Sequence, residues 1–211
     1  MNNKPSWVFT DQMRLLFKGV IDPMAGFFNS LGISPNAMTV IGLCGGVAGA
    51  ILIALGWVTW GGIVILITAP LDALDGTMAR LKGEKRTDSP PSFGAFFDSV
   101  IDRYTEFFLF GGLLVYFIHS GNWGGVALAY IAAGGSFMVS YTRARAQSLG
   151  IETKVGILSR LERYIILIPC LIFNIPLVGL VILAVFTNIT SIQRMIDVYN
   201  QLQSQAASPS K

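Results

Sequence analysis

The sequence predicts an all-α polytopic membrane protein in which six transmembrane helices follow an N-terminal interfacial amphipathic helix. Three observations predict it. Of 211 residues only 13% are charged and 53% are hydrophobic, whereas a soluble domain carries about 25% charged residues. No Asp, Glu, Lys or Arg occurs between Pro23 and Leu71, between Phe107 and Thr142, or between Tyr164 and Gln193. Each gap exceeds the roughly 20 apolar residues that cross a bilayer. Finally, the basic residues alternate. The turns after spans one, three and five hold no Lys or Arg, whereas Lys82, Lys85 and Arg86 follow span two and Arg143, Arg145, Lys154, Arg160 and Arg163 follow span four. By the positive-inside rule, both termini face the cytoplasm.

The elements follow in order. Phe9, Met13, Leu16 and Val20 recur at helical spacing while Asp11, Arg14, Lys18 and Asp22 take the other side, which predicts an interfacial helix over about 6–22. Asp22-Pro23 ends it, and Gly32 to Asn36 forms a further turn. The membrane core runs over about 39–195, with spans at 39–58, 60–80, 93–118, 123–146, 160–173 and 176–195. Trp57 and Trp60 suit an interface belt. The whole chain reads as one domain, and residues 201–211 form a polar, flexible tail. No uninterrupted apolar run near the N-terminus predicts a cleavable signal.

Several functions are excluded by composition. A net charge of +3 and a pI near 9.0 do not signal nucleic acid, because the basic residues flank apolar segments and serve as cytoplasmic anchors. Cys44 and Cys170 lie within apolar runs and make neither a metal spacing nor a disulfide framework. His119, the sole histidine, falls in an outer turn and reads as a solvated loop residue.

The chemistry lies where spans two and three meet the cytoplasmic interface. Span two ends D-A-L-D-G-T-M-A-R from Asp72 to Arg80; at about 100° per residue, Asp72, Asp75, Gly76, Ala79 and Arg80 share a face. Span three opens with G-A-F-F-D-S-V-I-D-R, where Gly94, Asp98 and Asp102 repeat at four-residue steps. Four carboxylates at the edge of hydrocarbon repel one another and cost several kcal/mol each to desolvate unless neutralised. Hard divalent cations resolve both problems, and an oxygen-only donor set selects Mg²⁺ or Mn²⁺. Gly76 and Gly94, lacking side chains, let a bulky ligand approach the helix backbone.

D-x2-D-G-x2-A-R followed by G-x3-D-x3-D resembles the signature of the CDP-alcohol phosphatidyltransferases, six-span integral membrane enzymes. The resemblance covers nearly the whole chain, including S-P-N-A-M-T at Ser34 to Thr39. It implies that Asp72, Asp75, Asp98 and Asp102 bind two metal ions and that Asp102 is also the general base. It further implies that Asn36, Ala37, Met38, Thr39, Asp75, Gly76, Ala79 and Arg80 hold the CDP part of CDP-diacylglycerol, the lipid tails lying in a groove open to the bilayer. The chain departs from the pattern in the 13 residues between Arg80 and Gly94, a stretch longer than in many members. Pro90-Pro91-Ser92 stands where relatives often place Thr or Ser near the nucleotide; Ser92 is the substitute on offer. The role of this long loop is left open.

The acceptor is read from S-Y-T-R-A-R-A-Q at Ser140 to Gln147 and S-R-L-E-R-Y-I-I at Ser159 to Ile166. These are similar to the inositol-phosphate branch of the family, although Arg143 stands where the branch often has Lys and Ser159 where it often has Glu. By that similarity Arg143, Arg160 and Arg163 bind the phosphate of a phosphorylated polyol, a task that suits the forked donors of arginine. Asp102-Arg103 followed by Glu106 points the same way. The reaction so implied is phosphatidyl transfer from CDP-diacylglycerol to inositol 1-phosphate, releasing CMP; glycerol 3-phosphate is the alternative acceptor. A cation transporter lined by aspartates is a more distant alternative, opposed by their clustering at one interface and by the expectation that the remaining spans lack ionisable residues. The resemblance also implies a homodimer, and Gly111-Gly112 and Gly134-Gly135 would permit close helix contact.

Overall fold

In the computed structural model the described residues are 9–81, 93–153 and 155–207, and every regular element among them is a helix. The chain divides into two compact units, Met1–Gly112 and Leu113–Lys211.

The first unit contains α1 (Phe9–Ser30), α2 (Pro35–Ala54), α3 (Val58–Leu81) and most of α4 (Phe93–His119). Ser34 starts α2: its backbone is extended, its Oγ accepts the Ala37 amide, and Pro35 fills the first helical position, where a missing N–H costs nothing. A three-residue connection, Leu55 to Trp57, turns α2 into α3. There the Trp57 amide reaches Leu52 O and the Gly56 amide reaches Ile53 O, both at 2.9 Å. Gly56 has φ +90°, which closes the helix in the left-handed form that a Cβ disfavours.

Small residues let these helices approach. A Cβ on Gly45 would stand 2.2 Å from Thr68 Cγ2, and one on Gly61 would stand 2.7 Å from Gly49 O; the G-x3-G pair Gly45 and Gly49 is thus the seam between α2 and α3. Another face of α2 meets α4, where a Cβ on Gly46 would lie 2.5 Å from Thr105 Cγ2 and one on Gly112 would lie 2.4 Å from Ala50 O. Beneath α1, Ala25 packs with Met38, Leu74 and Met78.

Two boundaries differ from the sequence expectation in this unit. The first helix does not end at Asp22-Pro23; it continues through Pro23 to Ser30. Proline removes one intrahelical bond, but packing of Ala25 and half-buried Phe28 on Leu74 and Met78 and the bond from Asn29 Nδ2 to Met78 O at 3.2 Å hold the continuation. Likewise α2 begins at Pro35 rather than near Thr39, so Asn36, Ala37 and Met38 lie in its first turn.

The second unit holds the end of α4, α5 (Trp123–Ser148), α6 (Arg160–Ile172) and α7 (Pro176–Ala207). Asn122 caps α5 by accepting the Gly125 amide, and Asn174, at φ +56°, closes α6 just ahead of Pro176. Gly135 packs on Thr187 and Asn188, joining α5 to α7. The expected flexible tail is corrected here, since α7 continues through 201–207; Gln201 at 3.0 Å from Asp197 and Ser204 bonded to Asn200 O supply polar i, i+4 contacts on this extension.

By length and composition, four described helices can cross a membrane: α2, α3, α5 and α7. Helix α4 is long enough, but Asp98, Asp102, Arg103 and Glu106 occupy its first half. Helix α6 has 13 residues, roughly 20 Å at 1.5 Å per residue. The expectation that spans outside the aspartate region lack ionisable residues is also corrected, because Arg194 lies within α7.

Candidate active site

The end of α3 is buried by its neighbours. Asp75 is 4% exposed and Thr77 is 3% exposed, positions that a solvated cap or surface ion pair would not produce. Thr39 Oγ1 on α2 donates to Asp75 Oδ2 at 2.5 Å. A charged acceptor with a fixed neutral donor is oriented before any ligand arrives. Two residues beyond, Arg80 Nη2 donates to Thr77 Oγ1 at 2.7 Å, which keeps that exposed guanidinium near its own helix.

Helix α2 sets the level of α4 against α3. Gly46 meets Thr105 and Ala50 meets Gly112, so α2 and α4 run in the same direction. Seven positions before Gly46 stands Thr39, and seven before Thr105 stands Asp98. At about 1.5 Å per residue, Asp98 comes level with Thr39 and its partner Asp75, and Asp102 lies one turn deeper. Asp98 and Asp102 are half-buried. Arg103 Nη1 approaches Asp102 Oδ2 at 3.8 Å and also donates to the Ser99 carbonyl.

The other expected site residues are distributed as follows. Asn36 and Ala37 are exposed at the start of α2, Gly76 is half-buried, and Ala79 is 6% exposed. Met38 is buried against α1 and α3, where it packs the helices together. Asp72 belongs to α3 but its side chain lies outside the described residues, as does Ser92 entirely. Among the described side chains, no three of His, Cys, Asp and Glu converge closely enough to hold a metal. The donor chemistry nonetheless fits a hard cation: the carboxylates of Asp75, Asp98 and Asp102 are withdrawn from water, and none of the face is sulfur or imidazole.

Sequence reasoning used Glu106 only to compare branches. It is 8% exposed and continues the Asp98–Asp102 face by one further turn, a spacing that could have included it.

In the second unit, Arg163 is 3% exposed, Arg160 is half-buried and Arg143 is exposed. Arg160 lies over the Tyr164 ring, 5.5 Å from its centroid. The Ser159 hydroxyl donates to Glu162 Oε2. Arg194 on α7 is 4% exposed and donates to the carbonyls of Val139 on α5 and Val155. The structure therefore brings α5, the segment before α6 and α7 together around a buried cation that the sequence reading passed over. Its position one residue beyond an uncharged run was the available signal.

The chain, with four helices long and apolar enough to cross a membrane among its described residues, belongs to the CDP-alcohol phosphatidyltransferase family, whose model matches residues 32–193. It is an enzyme of that class, which sets the transporter reading aside. Among its relatives is the archaetidylinositol phosphate synthase of Methanothermobacter thermautotrophicus, 32% identical over 199 residues, covering 92% of this chain and 95% of the relative. The phosphatidylinositol phosphate synthase of Streptomyces avermitilis is 34% identical, with 88% of this chain and 80% of the relative covered. The phosphatidylinositol phosphate synthase of Mycobacterium tuberculosis, solved with CDP-DAG bound, is 31% identical with a TM-score of 0.76, covering 85% of this chain and 94% of that one. The same enzyme has been solved with manganese and citrate, at 30% identity and a TM-score of 0.76, over 85% of this chain and 89% of that one.

Proposed function

We propose that this protein transfers the phosphatidyl group of CDP-diacylglycerol to inositol 1-phosphate, giving phosphatidylinositol phosphate and CMP. The observation that carries the proposal is the buried carboxylate of Asp75 held by Thr39 at 2.5 Å, within a D-x2-D-G-x2-A-R segment inside the family match. The inositol-phosphate names of the relatives support this acceptor over glycerol 3-phosphate.

Asp72, Asp75, Asp98 and Asp102 would hold two ions, Mg²⁺ or Mn²⁺. When bound, such ions polarise the pyrophosphate and neutralise charge on departing CMP. Asn36, Ala37, Thr39, Gly76, Ala79 and Arg80 line the nucleotide part, with Gly76 leaving room for the diphosphate beside the backbone and Met38 held in the core behind them; Ser92 would complete it. Asp102 takes the proton of the acceptor hydroxyl as general base. Arg143, Arg160 and Arg163 bind the acceptor phosphate.

The arrangement belongs to six spans, α4 and α6 joining the four apolar helices, with α1 at the interface. Both termini and the active site face the cytoplasm, and the protein works as a homodimer. Purified protein with Mg²⁺ and CDP-diacylglycerol should release CMP with inositol 1-phosphate and not with glycerol 3-phosphate. Release with glycerol 3-phosphate alone would overturn the acceptor assignment.

A further inference from the structure

Away from the aspartates, polar bonding from buried to exposed positions concentrates on one face of α7. Thr190 is fully buried; its Oγ1 donates to Phe186 O at 2.7 Å and accepts the Leu158 amide at 3.1 Å. One turn on, Arg194 donates from Nε to Val155 O at 3.0 Å and from Nη1 to Val139 O at 2.5 Å. Further along, Gln201 Nε2 donates to Glu152 O at 3.2 Å. Positions 190, 194 and 201 are separated by four and seven residues, which places them on one helical face. Their partners Leu158, Val155 and Glu152 descend in sequence as the helix positions ascend, so the segment between α5 and α6 runs antiparallel along α7. Gly156, at φ +135°, lies so close that a Cβ there would stand 2.4 Å from Thr190 Cγ2.

Backbone groups in a connecting segment ordinarily find water; here side chains of a single helix take them. The strap ends at Ser159, the N-cap of α6, and the next residues include Arg160 and Arg163. Fixing Leu158 therefore fixes where α6 starts and how its first turn presents those arginines. We propose that this face of α7 is a clamp on the 155–159 strap, and that Thr190 is thereby a positioning residue for the acceptor phosphate. The inference rests on the acceptor reading above.

Thr190→Val keeps the volume and removes the oxygen that accepts the Leu158 amide. With purified full-length enzyme, the KM for inositol 1-phosphate should rise roughly tenfold, while kcat and the KM for CDP-diacylglycerol stay within about twofold. Thr190→Ser, which keeps the oxygen, should restore the wild-type KM. An unchanged acceptor KM, a parallel rise in both KM values, or a Ser variant no better than Val would overturn the proposal. If wild-type enzyme uses glycerol 3-phosphate instead, the acceptor reading fails, and the same split, measured with that acceptor, still decides the clamp. Should Thr190→Val not survive purification, hydrogen exchange of the wild type decides: the Leu158 amide should exchange as slowly as the interior of α6, and exchange at loop rates would overturn the clamp.

Discussion

Thr39 and Asp75, 36 positions apart in sequence, are joined by a 2.5 Å hydrogen bond from the threonine hydroxyl to the carboxylate. The bond links the first turn of α2 to the last turns of α3, uniting two motifs that the sequence presents separately. Because Asp75 is 4% exposed, the hydroxyl stands in for water as a donor and fixes how the carboxylate is turned. That fixed orientation suits the cation-binding role proposed for it.

Thr39→Val should therefore impair catalysis more than its isosteric shape suggests. Removing the donor to a buried charged acceptor costs about 1.5–3 kcal/mol, or on the order of 10- to 100-fold in kcat/KM for CMP release. Thr39→Ser should stay within a few fold. Steady-state assays of both variants beside the wild type check this, and a valine variant with full activity would remove the bond from the catalytic account.

Asp102→Asn should separate binding from turnover. The side chain is 15% exposed and its ion-pair partner Arg103 lies 3.8 Å away, so the amide fits the same space without accepting a proton. Loss of a general base costs about 10²- to 10⁴-fold. CMP release should fall by that order while CDP-diacylglycerol binding, measured directly on the purified variant, persists. Retained turnover would refute the base assignment.

The all-helical fold and its apolar helices were legible because charge is scarce: an Asp or Arg between long apolar runs announces itself. What escaped was decided by tertiary packing. Proline at position 23 reads as a stop, yet Ala25 and Phe28 find a buried partner surface on α3 and the helix persists. Polar residues from Gln201 onward read as a tail, yet Gln201 bonds back to Glu152 and α7 runs on to Ala207. The motif marked Thr39 but not its bond to Asp75, and Thr190 drew no reading, since a threonine among apolar residues is as compatible with lipid-facing helix as with a buried bond. Arg194 stands one residue beyond an uncharged run and drew no reading from the sequence; only its bonds to the Val139 and Val155 carbonyls show that it is buried among helices.

Metal removal should abolish activity reversibly. With oxygen ligands alone, chelation by excess EDTA followed by added Mg²⁺ or Mn²⁺ should restore CMP release, whereas Ca²⁺ at equal concentration should not, because it prefers six to eight ligands at longer distances. Asp75→Asn and Asp98→Asn should each raise the Mg²⁺ concentration needed for half-maximal rate. Full activity in EDTA, or variants with an unaltered Mg²⁺ requirement, would count against these aspartates as ligands.

Adjacent glycines of α4 should respond oppositely to alanine. A Cβ on Gly112 would stand 2.4 Å from the Ala50 carbonyl oxygen and 3.0 Å from its Cα, whereas one on Gly111 meets nothing within 4 Å. The first contact is with backbone, which cannot rotate aside, so α2 and α4 must separate; overpacking of this kind costs about 1–3 kcal/mol. At position 111 the substitution only gains helix propensity, about 0.5–1 kcal/mol. Thermal unfolding in detergent should therefore show Gly112→Ala melting below wild type and Gly111→Ala at or above it. Because α2 carries Thr39 and α4 carries Asp98 and Asp102, the Gly112 variant should also lose CMP release at temperatures where it remains folded. Equal melting of the two variants would mean that the α2–α4 contact is not the close approach on which the level of Asp98 beside Asp75 depends.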